Sequence, residues 1–145
     1  MVAGPLGLVI SAAMREELLR LATDVISASK GTVLFQRGDA ARGLYLICSG
    51  RVSVALDTDY FAYPPRILGP GAVVGLPATV AGSPYSLTAE VVDKAELAFV
   101  SRAVMLNCLT TNQQLCFEVM QLLSGEISGT RAALKRAGSV RQHSG

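Results

Sequence analysis

Between Ser11 and Val25 the apolar residues Met14, Leu18, Leu21, Ala22 and Val25 recur at spacings of three and four, with Arg15, Glu16, Glu17 and Arg20 between them. That is the period of one helix face. Ser11 has the side chain to cap the first turn, so the pattern predicts an amphipathic helix lying across a larger body. At Lys30-Gly31 the texture changes to short apolar runs broken by glycine. Thr32 to Phe35, Leu44 to Cys48, Val52 to Leu56, Arg66 to Leu68, Tyr85 to Val91 and Ala95 to Val100 read as strands. Arg37-Gly38-Asp39, Ser49-Gly50, Asp57-Thr58-Asp59, Pro64-Pro65 and Gly69-Pro70-Gly71 read as turns. Turn signals at near-regular intervals predict a mainly-β domain of about eight strands, a sandwich or barrel, and not a parallel α/β sheet.

Residues 71–91 compress most into least. An apolar run meets Gly75, Pro77 suits the first turn of a short helix because its missing N–H has no helical partner there, Gly82-Ser83-Pro84 ends it, and a strand follows. A helix start leaves amides unpaired and partially positive, which makes this turn a cradle for an anion. The stretch nevertheless holds one acidic residue, Glu90, and no lysine or arginine.

After Ser101-Arg102, Ala103 to Leu109 reads as a short helix, and a longer helical pattern starts near Thr110-Thr111-Asn112 and runs to about Arg136. Its apolar residues form two lines. Leu115, Val119 and Leu122 face the chain's own barrel, while Cys116, Met120, Leu123, Ile127, Thr130 and Leu134 follow the alternating four-and-three spacing of a heptad seam. Gly125 and Gly129 each weaken the helix by roughly 1 kcal/mol against alanine, and they also permit close backbone approach. The expectation is a parallel homodimer.

Composition supports that expectation. Half the residues are hydrophobic and 17% are charged, against roughly 25% charged in ordinary soluble domains, so part of the apolar surplus calls for a partner chain. The 145 residues suffice for one domain with an appended helix. A net charge of +2 is too small to argue for nucleic acid, and the basic residues Arg131, Lys135, Arg136 and Arg141, with His143, suit a solvated helix end. The apolar opening is broken by Gly4-Pro5 and Gly7 and lacks early basic residues, unlike a signal peptide; no apolar run reaches a membrane span, and a cytoplasmic protein is expected. Cys48, Cys108 and Cys116 are odd in number and lack CxxC spacing, so they are expected to be buried small side chains, not disulfide or metal ligands.

Four segments taken together, KGTVLFQRGD from Lys30, GLYLICSGRVSV from Gly43, LGPGAVVG from Leu68 and LTAEVVDKAELAFV from Leu87, resemble the cyclic-nucleotide-binding domain, in particular the sensor half of bacterial Crp/Fnr-type regulators. The resemblance covers about residues 12–136. It implies a double-stranded β-helix, or jelly roll, with Gly31, Gly38, Gly50, Gly71 and Gly75 at its turns, an N-terminal helix and a long C-terminal dimerisation helix. The implied organisation is a tail over 1–11, the jelly roll with its first helix over 12–109, the dimerisation helix over 110–137 and a tail over 138–145. It also implies a phosphate cassette at Gly75, Leu76, Pro77 and Ala78, further ligand-facing hydroxyls on Tyr85, Ser86 and Thr88, and Ser128 or Thr130 reaching in from the long helix of either subunit.

Two departures from the family pattern stand out. The glutamate that holds the ribose is replaced by Leu76, and the arginine that pairs with the phosphate by Tyr85, or Ser86 if the loop shifts by one. The expectation is therefore a non-catalytic, dimeric sensor or regulatory domain that does not bind cyclic AMP or cyclic GMP tightly and needs no cofactor. A small molecule of lower charge fits the lining better. The alternatives are a genuine cyclic-nucleotide sensor with replacement contacts, Arg66 among the cations available, and an interaction scaffold whose pocket is filled by its own side chains. A metal-dependent cupin would need several histidines, whereas His143 is the single histidine and lies in the tail; no histidine in the body can activate a serine or cysteine. Gly138 to Gly145 is too short for a DNA-reading helix and its support, so direct DNA binding by this chain is not expected.

Overall fold

The structure, a computed structural model, describes residues 8–55 and 65–123. Within them β1 (Leu8–Val9), α1 (Ala12–Leu21), β2 (Asp24–Ala28), β3 (Val33–Phe35), β4 (Gly43–Ala55), β5 (Arg66–Leu68), β6 (Ala72–Val74), α2 (Leu76–Ala81), β7 (Thr88–Ser101) and α3 (Arg102–Thr111) follow in order. A further helix, α4, occupies residues 113–123. The strands form one antiparallel sheet in the order β1-β6-β4-β7-β2, with β3 added on β7 and β5 on β4.

The sheet is organised on β4 and β7, paired from Gly43 opposite Ser101 to Ala55 opposite Thr88. Side chains alternate across a strand, and at the end of the ladder formed by residues 43–47 and 97–100 both faces are covered. Ile47, Val52, Val54, Ala89, Val91, Ala95 and Leu97 turn into one core with Phe35, Val74 and Ala78. Leu44, Leu46, Ala98 and Val100 turn into the other, where Met14 and Leu18 of α1, Met105 of α3, and Leu115 and Val119 of α4 cover them. Two-sided burial explains why residues 43–47 and 97–100 are apolar almost without interruption, whereas in the middle of the two strands Cys48, Ser49, Arg51, Asp93, Lys94 and Glu96 are exposed. Each fully buried leucine or valine contributes roughly 1.5–3 kcal/mol.

Several sequence expectations change here. Leu44 to Cys48 and Val52 to Ala55 are one strand, not two joined by a tight turn, and Leu56 lies outside the described residues. Ser49-Gly50 is instead a bulge, at which the register with β7 shifts between Ile47 and Val52. Gly50 has φ +85°, and a Cβ there would fall on the Lys94 carbonyl, with Ala95 Cα at 2.5 Å. Likewise Thr88 to Val91 and Ala95 to Val100 merge into the single strand β7, while Tyr85 to Leu87, expected to begin a strand, lie in the segment before it. About eight strands were expected, and the described residues hold seven.

The first helix ends at Leu21, so Val25 lies not on its apolar face but in β2, 73% exposed and opposite Ala98. The Thr23 amide donates to the Phe99 carbonyl at 2.8 Å, which starts a sheet edge that β-branched Val25 and Ile26 suit better than a fourth helical turn. Cys48, expected inside, is exposed, whereas Cys108 is buried and Cys116 half-buried. Alternation puts Cys48 on the face of Leu44 and Leu46, but it lies past the core that covers them, just before the bulge. Among the described residues no helix is long and apolar enough to cross a membrane.

The Gly50→Ala variant should lose about 2 kcal/mol or more, because the left-handed backbone costs an L-residue roughly 1–2 kcal/mol and the new methyl group meets backbone that cannot yield. Urea unfolding of the two proteins measures this, and an unchanged midpoint would mean that the bulge can relax.

Candidate functional site

The turn expected at residues 71–91 is present. Gly75, at φ +88°, precedes α2, Pro77 lies in its first turn, and no side chain caps it. Thr79 N–H donates to Gly75 C=O at 3.1 Å. The amides of the first turn have no partners inside the helix, so the frame of an anion cradle is kept.

What faces that frame is aromatic. A Cβ on Gly75 would lie 3.1 Å from Tyr85 Cε1 and 3.5 Å from Phe35 Cε2. Tyr85 is 5% exposed and stacks on Phe35 at 3.8 Å between centroids and 11° between planes. Its hydroxyl donates to the Gly43 carbonyl at 2.5 Å and accepts from the amides of Arg42 at 3.2 Å and Gly43 at 3.3 Å. The backbone is held as well: Tyr85 N–H donates to Asp39 C=O at 2.9 Å, and Gly38 N–H donates to Tyr85 C=O at 2.8 Å. Tyr85 is thus a fixed wall of the interior, with every polar atom satisfied.

The other expected ligand residues separate. Ala78 faces the same core as Tyr85. Leu76 is fully buried in the opposite core, under the helices, with Met14, Leu18 and Met105. Pro77 is half-buried and Ser86 exposed. Thr88 Oγ1 accepts from the Arg37 amide at 3.0 Å, while Ser128 lies outside the described residues.

Beside Tyr85 is a cavity of about 410 Å³, walled by Leu34, Phe35, Tyr45 and Tyr85 with Asp39, Ala40 and Arg42 at its mouth. The Phe35 and Tyr45 rings stack loosely at 6.1 Å and 30°, and Tyr45 meets Phe99 at 5.0 Å and 52°. Burial pushes the Tyr45 phenol above its ordinary range; Tyr85 adds to this and the Arg42 cation opposes it. Phe35, Tyr45 and Arg42 did not figure among the expected site residues. The signal that would have found them is strand phase: Tyr45 shares a face with Ile47, pointing into the roll.

A larger depression of about 890 Å³ lies between α1 and α3, lined by the Glu17–Arg20 ion pair, Asn107, Cys108 and Thr111. Its hydrogen bond to Arg20 lowers the Glu17 carboxyl, and burial pushes the Cys108 thiol up.

The cassette is tied to the helices. Arg102, the first residue of α3, donates from Nε to Thr79 C=O at 2.9 Å, and its guanidinium covers Gly82, where a Cβ would lie 2.5 Å from Nη2. A cation at the C-terminal end of α2 also favours the helix dipole. The Arg102 amide donates to Arg42 C=O at 2.8 Å, the residue whose N–H the Tyr85 hydroxyl engages. At the far end of α3, Asn112 caps α4 by accepting from Leu115 N–H at 3.0 Å. Of the α4 residues, Leu115 and Val119 are buried as expected and Leu122 is partly so. Ser11 Oγ donates to Glu118 at 2.5 Å, joining α4 to the start of α1. Met120 remains 64% and Phe117 65% exposed. Of the rest of the expected seam, Cys116 and Leu123 are half-buried, and Ile127, Thr130 and Leu134 lie outside the described residues.

The family model described as "Cyclic nucleotide-binding domain" matches residues 25–112. No curated protein matches the chain in sequence. Among solved structures, the catabolite activator protein of Thermus thermophilus superposes with a TM-score of 0.73 at 21% identity, over 88% of this chain and 60% of its own. The c-di-GMP-responsive global regulator CLP of Xanthomonas campestris gives 0.65 at 22% identity, over 88% of this chain and 65% of its own. An EAL enzyme in its cyclic-AMP-bound form gives 0.58 at 24% identity, over 79% of this chain and 31% of its own. The chain therefore spans less than two thirds of each of these proteins, and the likeness is one of fold.

Two substitutions should separate the roles of the cassette side chains. Tyr85→Phe leaves the ring stack and strands a buried carbonyl, and should cost about 1–3 kcal/mol. Leu76→Glu, which writes a glutamate back after the glycine, places a carboxylate in the helix-side core and should cost roughly 3–5 kcal/mol. Thermal and urea unfolding would check both; a Leu76→Glu protein as stable as the parent would mean that residue 76 can swing out of that core.

Proposed function

This chain belongs to the cyclic nucleotide-binding domain family, and on that premise we propose that it is a non-catalytic, dimeric sensor or regulatory domain whose nucleotide cassette is kept in shape but closed to tight nucleotide binding. The observation that carries the reading is Tyr85. In this reading it, or Ser86 beside it, stands where the family carries a phosphate-pairing arginine, and the uncharged ring of Tyr85 is stacked, buried and fully hydrogen-bonded. Leu76 points away from the roll interior, so the position that would offer a carboxylate to a ribose offers nothing there. Charge-assisted hydrogen bonds contribute roughly 1.5–3 kcal/mol each. Without two of them, affinity for cyclic AMP or cyclic GMP should be weaker by two or more orders of magnitude.

The signal route in this reading runs along the contacts from the cassette. A displacement of α2 is felt at Arg102 through Thr79, and α3 passes it to α4 through the Asn112 cap. A domain of this kind acts by biasing two arrangements of a helix pair, and the exposed Phe117 and Met120 on α4 support a second copy of the chain as the other half of that pair. The three proteins of similar fold named above are longer than this chain, which fits a regulatory unit that passes its state to another domain or protein.

Calorimetry with cyclic AMP and cyclic GMP should show no saturable binding at micromolar nucleotide; saturable heat at those concentrations would overturn the closed-cassette reading. In native mass spectrometry at micromolar protein, the expected species is twice the 15.2-kDa chain. Met120→Asp should convert it to monomer, and a monomeric parent protein would remove the dimer from the proposal.

A further inference from the structure

We propose that the cavity walled by Phe35, Tyr45 and Tyr85 is a binding site for a small planar aromatic carboxylate, a ligand with neither sugar nor phosphate. The inference deepens the closed-cassette reading and rests on it, because the Tyr85 ring that closes the cassette is also a wall of this cavity. None of Gly75, Leu76, Pro77 and Ala78 lines it, so the first-turn amides of α2 play no part in it.

Its size and lining define the ligand. About 410 Å³ lies within the roughly 300–1,000 Å³ of small-molecule pockets, and at the lower end, where one or two rings fit better than a nucleotide. Ring faces and edges are offered by Tyr85 and Phe35, nearly parallel, and by Tyr45 tilted 30° from Phe35. Aromatic walls of this kind favour a flat, apolar body in offset or edge-to-face contact.

Two polar groups then select the charge. The Tyr85 hydroxyl is already saturated by Arg42 and Gly43, and Asp39 accepts from the Gln36 amide at 3.0 Å. By contrast, the Tyr45 hydroxyl and the Arg42 guanidinium line the same cavity with no hydrogen-bond or ion-pair partner among the described residues. The cation is close enough to Tyr45 to act on its phenol electrostatically. One O–H donor and one planar, two-pronged cation beside an aromatic slot suit a carboxylate carried on a ring: guanidinium pairs with carboxylate in a fork geometry, and the phenol supplies a second donor.

The test is a set of probes read by ligand-observed and protein-observed NMR. Benzoate and phenylacetate are the planar anions, cyclohexanecarboxylate removes the flat ring, benzyl alcohol removes the charge, and cyclic AMP serves as competitor. The expected result is saturable binding of at least one aryl carboxylate in the micromolar to millimolar range, with shifts centred on Tyr45 and Tyr85. It should be weakened about tenfold by Arg42→Gln, the loss of one charge-assisted contact worth about 1.4 kcal/mol. Arg42 is exposed and its side chain makes no hydrogen bond or ion pair among the described residues, so this variant should keep the fold; Tyr45→Phe gives an independent, smaller loss. The proposal fails if no aryl carboxylate saturates at millimolar concentration, if cyclohexanecarboxylate or benzyl alcohol binds equally well, or if Arg42→Gln leaves affinity unchanged. Binding of cyclic AMP that displaces the aryl carboxylate would overturn both this site and the closed-cassette reading, whereas an empty cavity in a protein that also ignores cyclic AMP would sink this inference alone.

Discussion

One end of the β4–β7 ladder, residues 43–47 against 97–100, must be dry on both sides, and most of the architecture answers that requirement. A single antiparallel sheet can leave one face to water; this one buries Ile47, Val54 and Leu97 on one side and Leu44, Leu46 and Val100 on the other. The first set closes the roll around an interior, and the second set draws α1, α3 and α4 onto its back. Because consecutive residues of the same two strands serve the two cores, the cavity side and the helix side are separated by one thickness of backbone. The bulge at Gly50 belongs to the same constraint: without it a strand as long as β4 would continue straight and the roll would not curve.

That arrangement gives the cassette its two neighbours. Its turn leans on the aromatic pair Phe35 and Tyr85 inside the roll, while the C-terminal end of its short helix is held by Arg102 at the start of α3. The Arg42–Gly43 segment sits between them, bonded by the Tyr85 hydroxyl and by the Arg102 amide. A ligand that moved Tyr85 would therefore disturb hydrogen bonds that lead directly to the helices. The fully buried Thr79 hydroxyl has no partner among the described residues, a destabilising feature in the one helix that such a mechanism would need to shift.

Much of the site's character was legible from residue types. The αL glycine at 75, the proline in the first turn and the absence of lysine and arginine from residues 71–91 can all be read along the chain, because each depends on local backbone chemistry or on composition. The same holds for the capping serine at 11 and for the buried line Leu115 and Val119. The fate of Leu76 was not legible. An apolar residue after the glycine says only that a carboxylate is missing, and which of two cores receives it depends on the twist of the whole cassette against α1 and α3.

Local pattern also misjudged continuity. Ser49-Gly50 has the composition of a hairpin turn and became a bulge, because the partner strand β7 runs past it without a break and the long ladder outweighs a local turn. Val25 fell at helical spacing and became an exposed strand residue, since the β7 edge offered backbone partners that a helix could not use. By itself the sequence determined the class of fold, the glycine before the short helix, the helix that packs on the sheet and the absence of lysine and arginine from residues 71–91, all carried by residues acting on their own neighbours. Only the tertiary structure decided that the ring of Tyr85 would stack on Phe35, reach the Gly43 carbonyl and share a cavity with Tyr45 and Arg42. Those groups lie on separate strands and loops, and it is the closure of the roll that makes them neighbours.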